Sequence, residues 1–199
     1  MRKLIFFVGP AGAGKTTIAK ALARKRRMAF LDMDTLLRPS AEVIMRISGN
    51  DPNDRDSFVY KTHCRDLGYR VTIDAALENV ELGLDVIVVG PFTKEIENPL
   101  WLEQELKRIN ASSHDVDVMA IFVSLPDKEL YRQRIQARGL EMDEWKLENW
   151  SEFSHSLVQR QIKWPLPASS VYYFDNSGQL TEEKFSLIEQ FVFGDGHNG

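Results

Sequence analysis

A glycine-rich stretch near the beginning of the chain decides its fold. The stretch reads Gly9-Pro10-Ala11-Gly12-Ala13-Gly14-Lys15-Thr16. The apolar residues before it, 4–8, predict a short buried strand, and residues 16–26 after it carry apolar side chains at helical spacing. A strand, a glycine-rich loop and a helix in this order indicate the first unit of an α/β fold.

The constrained positions of this stretch indicate what the loop binds, because they match the phosphate-loop pattern throughout. Glycines let successive backbone N–H groups point at phosphate oxygens, and the following helix adds the positive end of its dipole. The lysine supplies charge for the β- and γ-phosphates, and the threonine hydroxyl is a ligand for Mg²⁺. We therefore expect ATP and Mg²⁺ as cofactors, with Lys15 catalytic and Thr16 on the metal. The predicted nucleotide contacts here are Gly9, Pro10, Ala11, Gly12, Ala13, Gly14, Lys15, Thr16 and Thr17.

The bulk properties of the 199 residues are those of an ordinary globular protein. The single cysteine, Cys64, excludes an internal disulfide. The formal net charge of -4 argues against a nucleic-acid partner, because binding a phosphate backbone needs a basic surface. The apolar run at 4–8 is too short for a secretory signal, and no run approaches the roughly 18 apolar residues of a membrane span. We therefore expect a cytoplasmic protein that does not enter a membrane.

Further apolar runs alternate with helical patterns along the chain. The runs lie at residues 29–31, 86–89, 116–123 and 170–174, and helices are predicted at 16–26, 55–82, 101–110, 127–138, 153–163 and 180–192. This alternation indicates a parallel sheet covered by helices on both faces. No repeat or low-complexity linker divides the chain, so we predict one α/β domain over residues 1–199, with a frayed tail at 194–199.

Two carboxylates follow the second predicted strand. Asp32 and Asp34 stand at its carboxyl end, where the ligands of parallel sheets bind. If the strand continues through both, alternation points them the same way, with Met33 opposed. Asp32 is then placed to hold the metal, and Asp34 to accept a proton from an attacking hydroxyl. The alternative is that one or both cap a turn or a helix at residues 35–37.

Other phosphate-loop classes lack support in the rest of the chain. A GTPase needs a late Asn/Thr-Lys-x-Asp, and Thr93-Lys94-Glu95-Ile96 lacks the aspartate. Asp175-x-x-Gly178 matches a second GTPase pattern but lies too late to follow the third strand. A motor-type or helicase-type ATPase carries a carboxylate at the end of a strand such as 86–89, which here ends in Gly90-Pro91.

The phosphate loop at 9–17, the strand tip at 32–36 and a later arginine-bearing segment resemble the phosphate-loop small-molecule kinases. Shikimate and gluconate kinases, chloramphenicol phosphotransferase-like kinases and zeta-toxin-like kinases form this group. The resemblance implies a three-layer fold, a five-stranded parallel sheet in the order 2-3-1-4-5 and a small helical lid near 132–152. It also implies that Asp34 is the base for the acceptor hydroxyl and that Asp32 belongs to the metal shell. Gly90-Pro91-Phe92 lacks the triple glycine of shikimate kinases and is closer to the chloramphenicol phosphotransferase-like and zeta-toxin-like kinases.

Two arginines after the fourth strand are the candidates for this lid. Arg134 and Arg138 are one helical turn apart, so they share a face. In similar kinases such arginines stack on adenine or contact the transferring phosphoryl, so both are predicted catalytic and Arg134 also nucleotide-binding. The alternative is a solvated face that pairs with Asp127 and Glu129. Asn176, after the fifth strand, is predicted to contact adenine through its backbone, and a plain turn is the alternative there.

The acceptor pocket is the least defined part of the prediction. Candidate acceptor contacts between strands two and three are Arg46, Arg65, Tyr69 and Arg70. A further charge is expected from Arg160 or Lys163. The tryptophans Trp145, Trp150 and Trp164 are expected to pack the lid against the body, or alternatively to form an aromatic acceptor pocket.

Together these features predict an ATP-dependent phosphotransferase that moves the γ-phosphoryl of ATP to a hydroxyl of a small-molecule acceptor. The alternative is a regulatory protein that binds or hydrolyses ATP without a metabolite acceptor. A nucleic-acid end kinase is less favoured because the chain is acidic. ATP and a small acceptor are the expected partners, whereas the acceptor's identity and the oligomeric state do not follow from the sequence.

Overall fold

A five-stranded parallel sheet forms the centre of the molecule, whose computed structural model describes residues 1–194. The strands are β1 (Arg2–Val8), β2 (Ala29–Asp32), β3 (Val86–Val89), β4 (Val116–Ser124) and β5 (Val171–Asp175). They lie in the order β2-β3-β1-β4-β5, and each neighbouring pair is parallel. The predicted sheet and strand order are confirmed. Because β1 is central, the loop that follows it lies in the middle of the carboxyl edge of the sheet, where ligands of such folds bind.

Helices cover both faces of this sheet. They are α1 (Lys15–Arg26), α2 (Met33–Ile47), α3 (Arg65–Glu81), α4 (Trp101–Lys107), α5 (Lys128–Arg138), α6 (Glu144–Glu148), α7 (Trp150–Phe153) and α8 (Glu182–Phe193). A π-helical turn at Tyr60–Cys64 leads into α3. Most of the predicted helix at 55–82 is thus present, and its first residues form a loop.

The central strand divides the core into two layers. Leu4, Phe6 and Val8 pack on one face with side chains of α3 and α4. Ile5 and Phe7 pack on the other face with α1 and α8. This alternation is the ordinary period of a strand, and burial on both faces explains why residues 4–8 are all apolar. The result is the predicted three-layer fold.

The predicted helix at residues 153–163 is wrong over most of its length. α7 ends at the first residue of that range, and after one further 3₁₀ turn the chain is irregular. The backbone N–H of Ile162 donates to Tyr173 Oη at 3.0 Å, and that of Lys163 donates to the Ile96 carbonyl at 2.7 Å. These groups bond to neighbouring segments instead of to the preceding turn, so their hydrogen bonds are satisfied without a helix.

The three tryptophans expected to pack the lid against the body lie in different parts of the fold. Trp164 is 4% exposed and belongs to the core, where its ring stacks on Trp101 at 5.4 Å between centroids and meets the edge of Phe6 at 4.9 Å. Trp145 and Trp150 lie in and beside the short helices α6 and α7. An aromatic acceptor pocket made of all three is therefore excluded.

Four further predictions concern the tail, membrane spanning, the lid and the number of domains. Of the predicted tail, Gly194 follows α8 with φ of 73°, and residues 195–199 lie outside the described residues. No helix within residues 1–194 is both long and apolar enough to cross a membrane.

The range 132–152 contains the end of α5, a 3₁₀ turn, α6 and the start of α7. That this range moves as a lid, and that the whole chain is one domain, stay predictions.

Candidate active site

The phosphate loop packs tightly against the end of β4 and the loop after β5, at the carboxyl edge of the sheet. Gly9 has φ of 126°, and a Cβ there would lie 2.3 Å from the Val123 carbonyl oxygen. Gly14 has φ of 95°, and a Cβ there would lie 2.3 Å from Asn176 Nδ2. Both positions therefore require glycine. Gly14 is also the N-cap of α1, whose first turn has no acidic residue and no side-chain cap, so its N–H groups and dipole suit an anion.

Lys15 is the cation of this loop, and its side chain is partly buried. Its Nζ donates to the Pro10 carbonyl oxygen at 2.7 Å. Burial lowers the pKa of Lys15 to about 8; the nearby carboxylates of Asp34 and Asp32 act in the opposite direction, and Arg138 acts in the same direction as burial. Lys15 thus interacts electrostatically with Asp32, Asp34 and Arg138.

Thr16 and Asp32 form a direct pair beside the loop. Thr16 Oγ1 donates to Asp32 Oδ2 at 2.9 Å, and Asp32 is buried. Within residues 1–194 no group of three or more His, Cys, Asp or Glu side chains could hold a metal ion. A hydroxyl with one carboxylate fits Mg²⁺, because Mg²⁺ takes most of its ligands from water and substrate phosphates.

Asp34 lies in the first turn of α2 and not on the strand. The helix begins at Met33, and Asp32 is its N-cap, with Oδ1 accepting from the Asp34 N–H at 2.9 Å. The expectation of strand alternation through both aspartates is therefore wrong, and the capping alternative is correct for Asp32. Both carboxylates nevertheless line the same cleft. Asp34 Oδ1 accepts from Arg55 at 2.7 Å.

Arg134 joins the phosphate loop to the loop after β5. Its NH1 donates to the Ala13 carbonyl at 3.3 Å, and its NH2 donates to those of Asn176 at 2.7 Å and Gly178 at 3.2 Å. The buried Asn176 amide donates to the same Ala13 carbonyl at 2.8 Å. Sequence reasoning had given the Asn176 side chain little weight, yet it contacts the phosphate loop directly.

Arg138 lines the same cleft from the end of α5, as its spacing from Arg134 predicted. Its Nε and NH2 donate to the two carboxylate oxygens of Asp143, and Lys146 Nζ donates to Oδ1 at 2.7 Å. Asp143 is 1% exposed. Burial raises the pKa of Asp143, but the hydrogen bonds from Arg138 and Lys146 outweigh it and hold that pKa below its usual range. Neither lid arginine has an ion pair with Asp127 or Glu129 among the described residues.

The cleft has a volume of about 770 Å³. Several of the side chains that line it were not predicted from the sequence. The unpredicted side chains that line it include Arg38, Arg55, Tyr60, Thr93 and Lys146. No sequence pattern pointed to Arg55, because it stands in an irregular loop. The spacing of Asp143 and Lys146 was a weak indication of an ion pair, since residues three apart share a helix face.

The acceptor residues predicted from the sequence divide into two groups. Arg65 and Tyr69 line the cleft. Arg46 is exposed near the end of α2, away from it. Arg70 does not line the cleft either. Its guanidinium instead donates to both carboxylate oxygens of Glu105, at 3.0 and 2.9 Å. The proposed further charges likewise do not line the cleft: Arg160 pairs with Glu97 at 3.0 Å, and Lys163 is absent from the cleft wall.

Comparisons with known proteins agree with this geometry. The chain is 33% identical over 101 residues to a shikimate kinase of Vibrio parahaemolyticus, a match covering 49% of this chain and 51% of the relative. The chain thus spans about half the length of the curated relatives it matches. A solved structure from Chloroflexus aurantiacus has a TM-score of 0.68 at 17% identity, over 96% of each chain. A sugar kinase from Janibacter has a TM-score of 0.56 at 17% identity, over 96% of this chain and 94% of that one.

These findings confirm the resemblance to phosphate-loop small-molecule kinases. The solved structures are too distant in sequence to show more than the fold. The sequence pattern that defines the AAA domain family matches residues 4–159, from the first buried strand to beyond the predicted lid. That match includes the phosphate loop, the Thr16–Asp32 pair, Arg134 and Arg138. The chain therefore belongs to the AAA domain family of phosphate-loop proteins, with the sheet order and cleft described above.

Proposed function

We propose that this protein is an ATP-dependent phosphotransferase that moves the γ-phosphoryl group of ATP to a hydroxyl of a small molecule. One observation carries the proposal: the phosphate loop, the Thr16–Asp32 pair and Asp34 line a single cleft of about 770 Å³. Pockets for small ligands fall at roughly 300–1,000 Å³. A relative named shikimate kinase supports a small-molecule acceptor over a protein or nucleic acid.

The phosphate loop and its neighbours form the nucleotide half of the cleft. Backbone N–H groups of the loop and the Lys15 ammonium bind the β- and γ-phosphates of ATP. Mg²⁺, held by Thr16 with Asp32 in its shell, neutralises phosphate charge when bound. Arg134 and Asn176 keep the loop after β5 against the phosphate loop, which sets the wall on which adenine rests.

Asp34 and Arg138 act on the transferring group. The acceptor hydroxyl gives its proton to Asp34 while its oxygen bonds to the γ-phosphorus. The bond between that phosphorus and the bridging oxygen breaks, ADP leaves with the electron pair, and the proton on Asp34 passes to solvent. Arg138 stabilises the charge spread over the γ-phosphoryl oxygens.

The test is a screen of hydroxylated compounds with ATP consumption and phosphorylated product as readouts. For Asp34→Asn we expect ATP binding close to that of the wild type and transfer slower by about 10²–10⁴-fold, the usual contribution of a general base. The matched control is Asp117→Asn, because Asp117 pairs with Lys3 near the start of β4, at the opposite edge of the sheet. If no hydroxyl compound accelerates ATP consumption and Asp34→Asn hydrolyses ATP like the wild type, the regulatory ATP-binding alternative is correct.

A further inference from the structure

Arg55 is a half-buried cation in direct contact with the proposed base. Its NH1 donates to Asp34 Oδ1 at 2.7 Å, and its side chain is only 13% exposed although it stands in an irregular loop. The Asp34 side chain is 58% exposed. Among the hydrogen bonds of residues 1–194, Oδ1 is the Asp34 oxygen that Arg55 contacts, and Oδ2 accepts from no protein donor. A charge-assisted bond to one oxygen orients the carboxylate and leaves the other oxygen for a proton.

The local backbone explains why Arg55 points inward. Asp54 Oδ1 accepts from the N–H groups of Asp56 and Ser57, both at 2.9 Å, which closes a turn around Arg55. The Arg55 guanidinium lies 5.9 Å from the centre of the Tyr60 ring, on the π-helical turn before α3. Arg55 is therefore held from both sides, a condition that a positioning residue must meet.

The segment that carries Arg55 also touches the predicted lid. Asn53 Nδ2 donates to Glu141 Oε2 at 2.9 Å, in the turn before α6. Lys61 Nζ lies 5.8 Å from the centre of the Trp145 ring on α6. Both contacts join the stretch between α2 and α3 to one short part of the chain, residues 141–145.

These contacts point to a role that the function proposed above does not include. We propose that Arg55 is a positioning residue that orients Asp34 for proton transfer, and that the contact of Asn53 with Glu141 ties this orientation to the lid. The inference rests on the proposed function, because it takes Asp34 to be the base. It predicts that Asp34 is well oriented only while residues 141–145 contact the loop that carries Arg55. Because the base is then misplaced whenever this contact is open, ATP hydrolysis by water is limited.

The first experiment is a double-mutant cycle between Arg55→Gln and Asp34→Asn, measured on acceptor-dependent and acceptor-independent ATP consumption. We expect Arg55→Gln to lower kcat about 10–100-fold, since a base misplaced by about 1 Å loses about 10²-fold. The dissociation constant of ATP should stay within about twofold, because Arg55 does not touch the phosphate loop. In the Asp34→Asn background Arg55→Gln should have no further effect, which a merely structural role would not produce. Arg55→Lys, which keeps a donor and a charge, should restore part of kcat.

The control for charge is Arg24→Gln, which removes the same charge from an exposed position at the end of α1 and should leave kcat unchanged. For the lid contact, Glu141→Ala should lower kcat severalfold, and Glu144→Ala, an exposed neighbour without a described side-chain hydrogen bond, should not. The inference is overturned if Arg55→Gln keeps kcat within twofold, or lowers it equally with and without Asp34. A loss of transfer in Asp34→Asn with wild-type behaviour of Arg55→Gln would leave the proposed function intact and reject this inference alone.

Discussion

At the scale of single residues, the protonation of Lys15 links the phosphate loop to pH. Its ammonium is partly buried and its pKa is lowered to about 8, chiefly by burial. The proton is therefore present at neutral pH and leaves as the pH rises through that value. Triphosphate attracts the protonated form, so nucleotide binding and proton uptake at Lys15 are linked.

This linkage predicts how ATP affinity depends on pH. Between pH 7 and pH 9 we expect the dissociation constant of ATP to rise about tenfold, because at one pH unit above its pKa about one tenth of Lys15 keeps its proton. Titration calorimetry near pH 8.5 in buffers of different ionisation enthalpy should show proton uptake on binding. In Lys15→Arg the affinity should be flat over this range, since arginine stays charged. An equal pH dependence in both proteins would assign the titration to another group.

Individual elements act here mainly by bringing loops together. The Ala13 carbonyl in the phosphate loop accepts from Arg134 on α5 and from Asn176 after β5. The end of α5 in turn meets the turn before α6, where the buried Asp143 accepts from Arg138 and Lys146. One buried carboxylate thus holds two cations of the cleft wall, so we expect the predicted lid to depend on Asp143.

We therefore expect Asp143→Asn to loosen this region. Removing one partner of a buried ion pair leaves Arg138 and Lys146 without a countercharge, and like charges then repel. Limited trypsin digestion should cleave after Arg138 or Lys146 several times faster in the variant, while the global unfolding midpoint changes much less. Glu144→Gln, an exposed charge change in the same region, is the control. If both variants are cut at the wild-type rate, the ion pairs do not hold the lid.

For the whole molecule, the two apolar layers on β1 place the cleft on a rigid base. The layer that faces α3 and α4 is closed from outside by Trp164, which packs on Phe6 and Trp101 and donates from Nε1 to the Glu95 carbonyl at 2.8 Å. The irregular stretch after α7 thus supplies a core side chain. It reaches the core because its backbone bonds to β5 and to Ile96.

Truncating this side chain should destabilise the entire fold. Trp164→Ala is expected to lower the free energy of unfolding by about 3–5 kcal/mol, the usual range for removing a buried tryptophan. Trp145→Ala, at a less buried tryptophan of α6, should lower it by less than about 1 kcal/mol. Denaturant unfolding followed by circular dichroism measures both. A single shared transition would also support the prediction of one domain, whereas two transitions would contradict it.

The sequence by itself determined the phosphate loop, the five strands and their cover of helices. These features depend on local patterns: glycines where backbone must approach backbone, and continuous apolar runs where a strand is buried on both faces. The Thr16–Asp32 pair was also predictable, because carboxyl ends of parallel strands meet at one edge. The pairing of Arg134 and Arg138 on one face followed from helical spacing alone.

Only the tertiary structure decided how distant segments complete the cleft. α2 begins at Met33 because Asp32 caps it, so Asp34 took its direction from a helix and not from strand alternation. Arg55 reaches Asp34 from an irregular loop, and Arg138 donates to Asp143 in the turn after α5. No local pattern encodes the contact of Arg55 with Asp34, since it depends on where the fold places two segments 21 residues apart. The Arg138–Asp143 pair spans only five residues, but it depends on how the chain turns after α5. The phosphate site can therefore be predicted from the sequence, whereas the partners of Asp34 and Arg138 are known only from the fold.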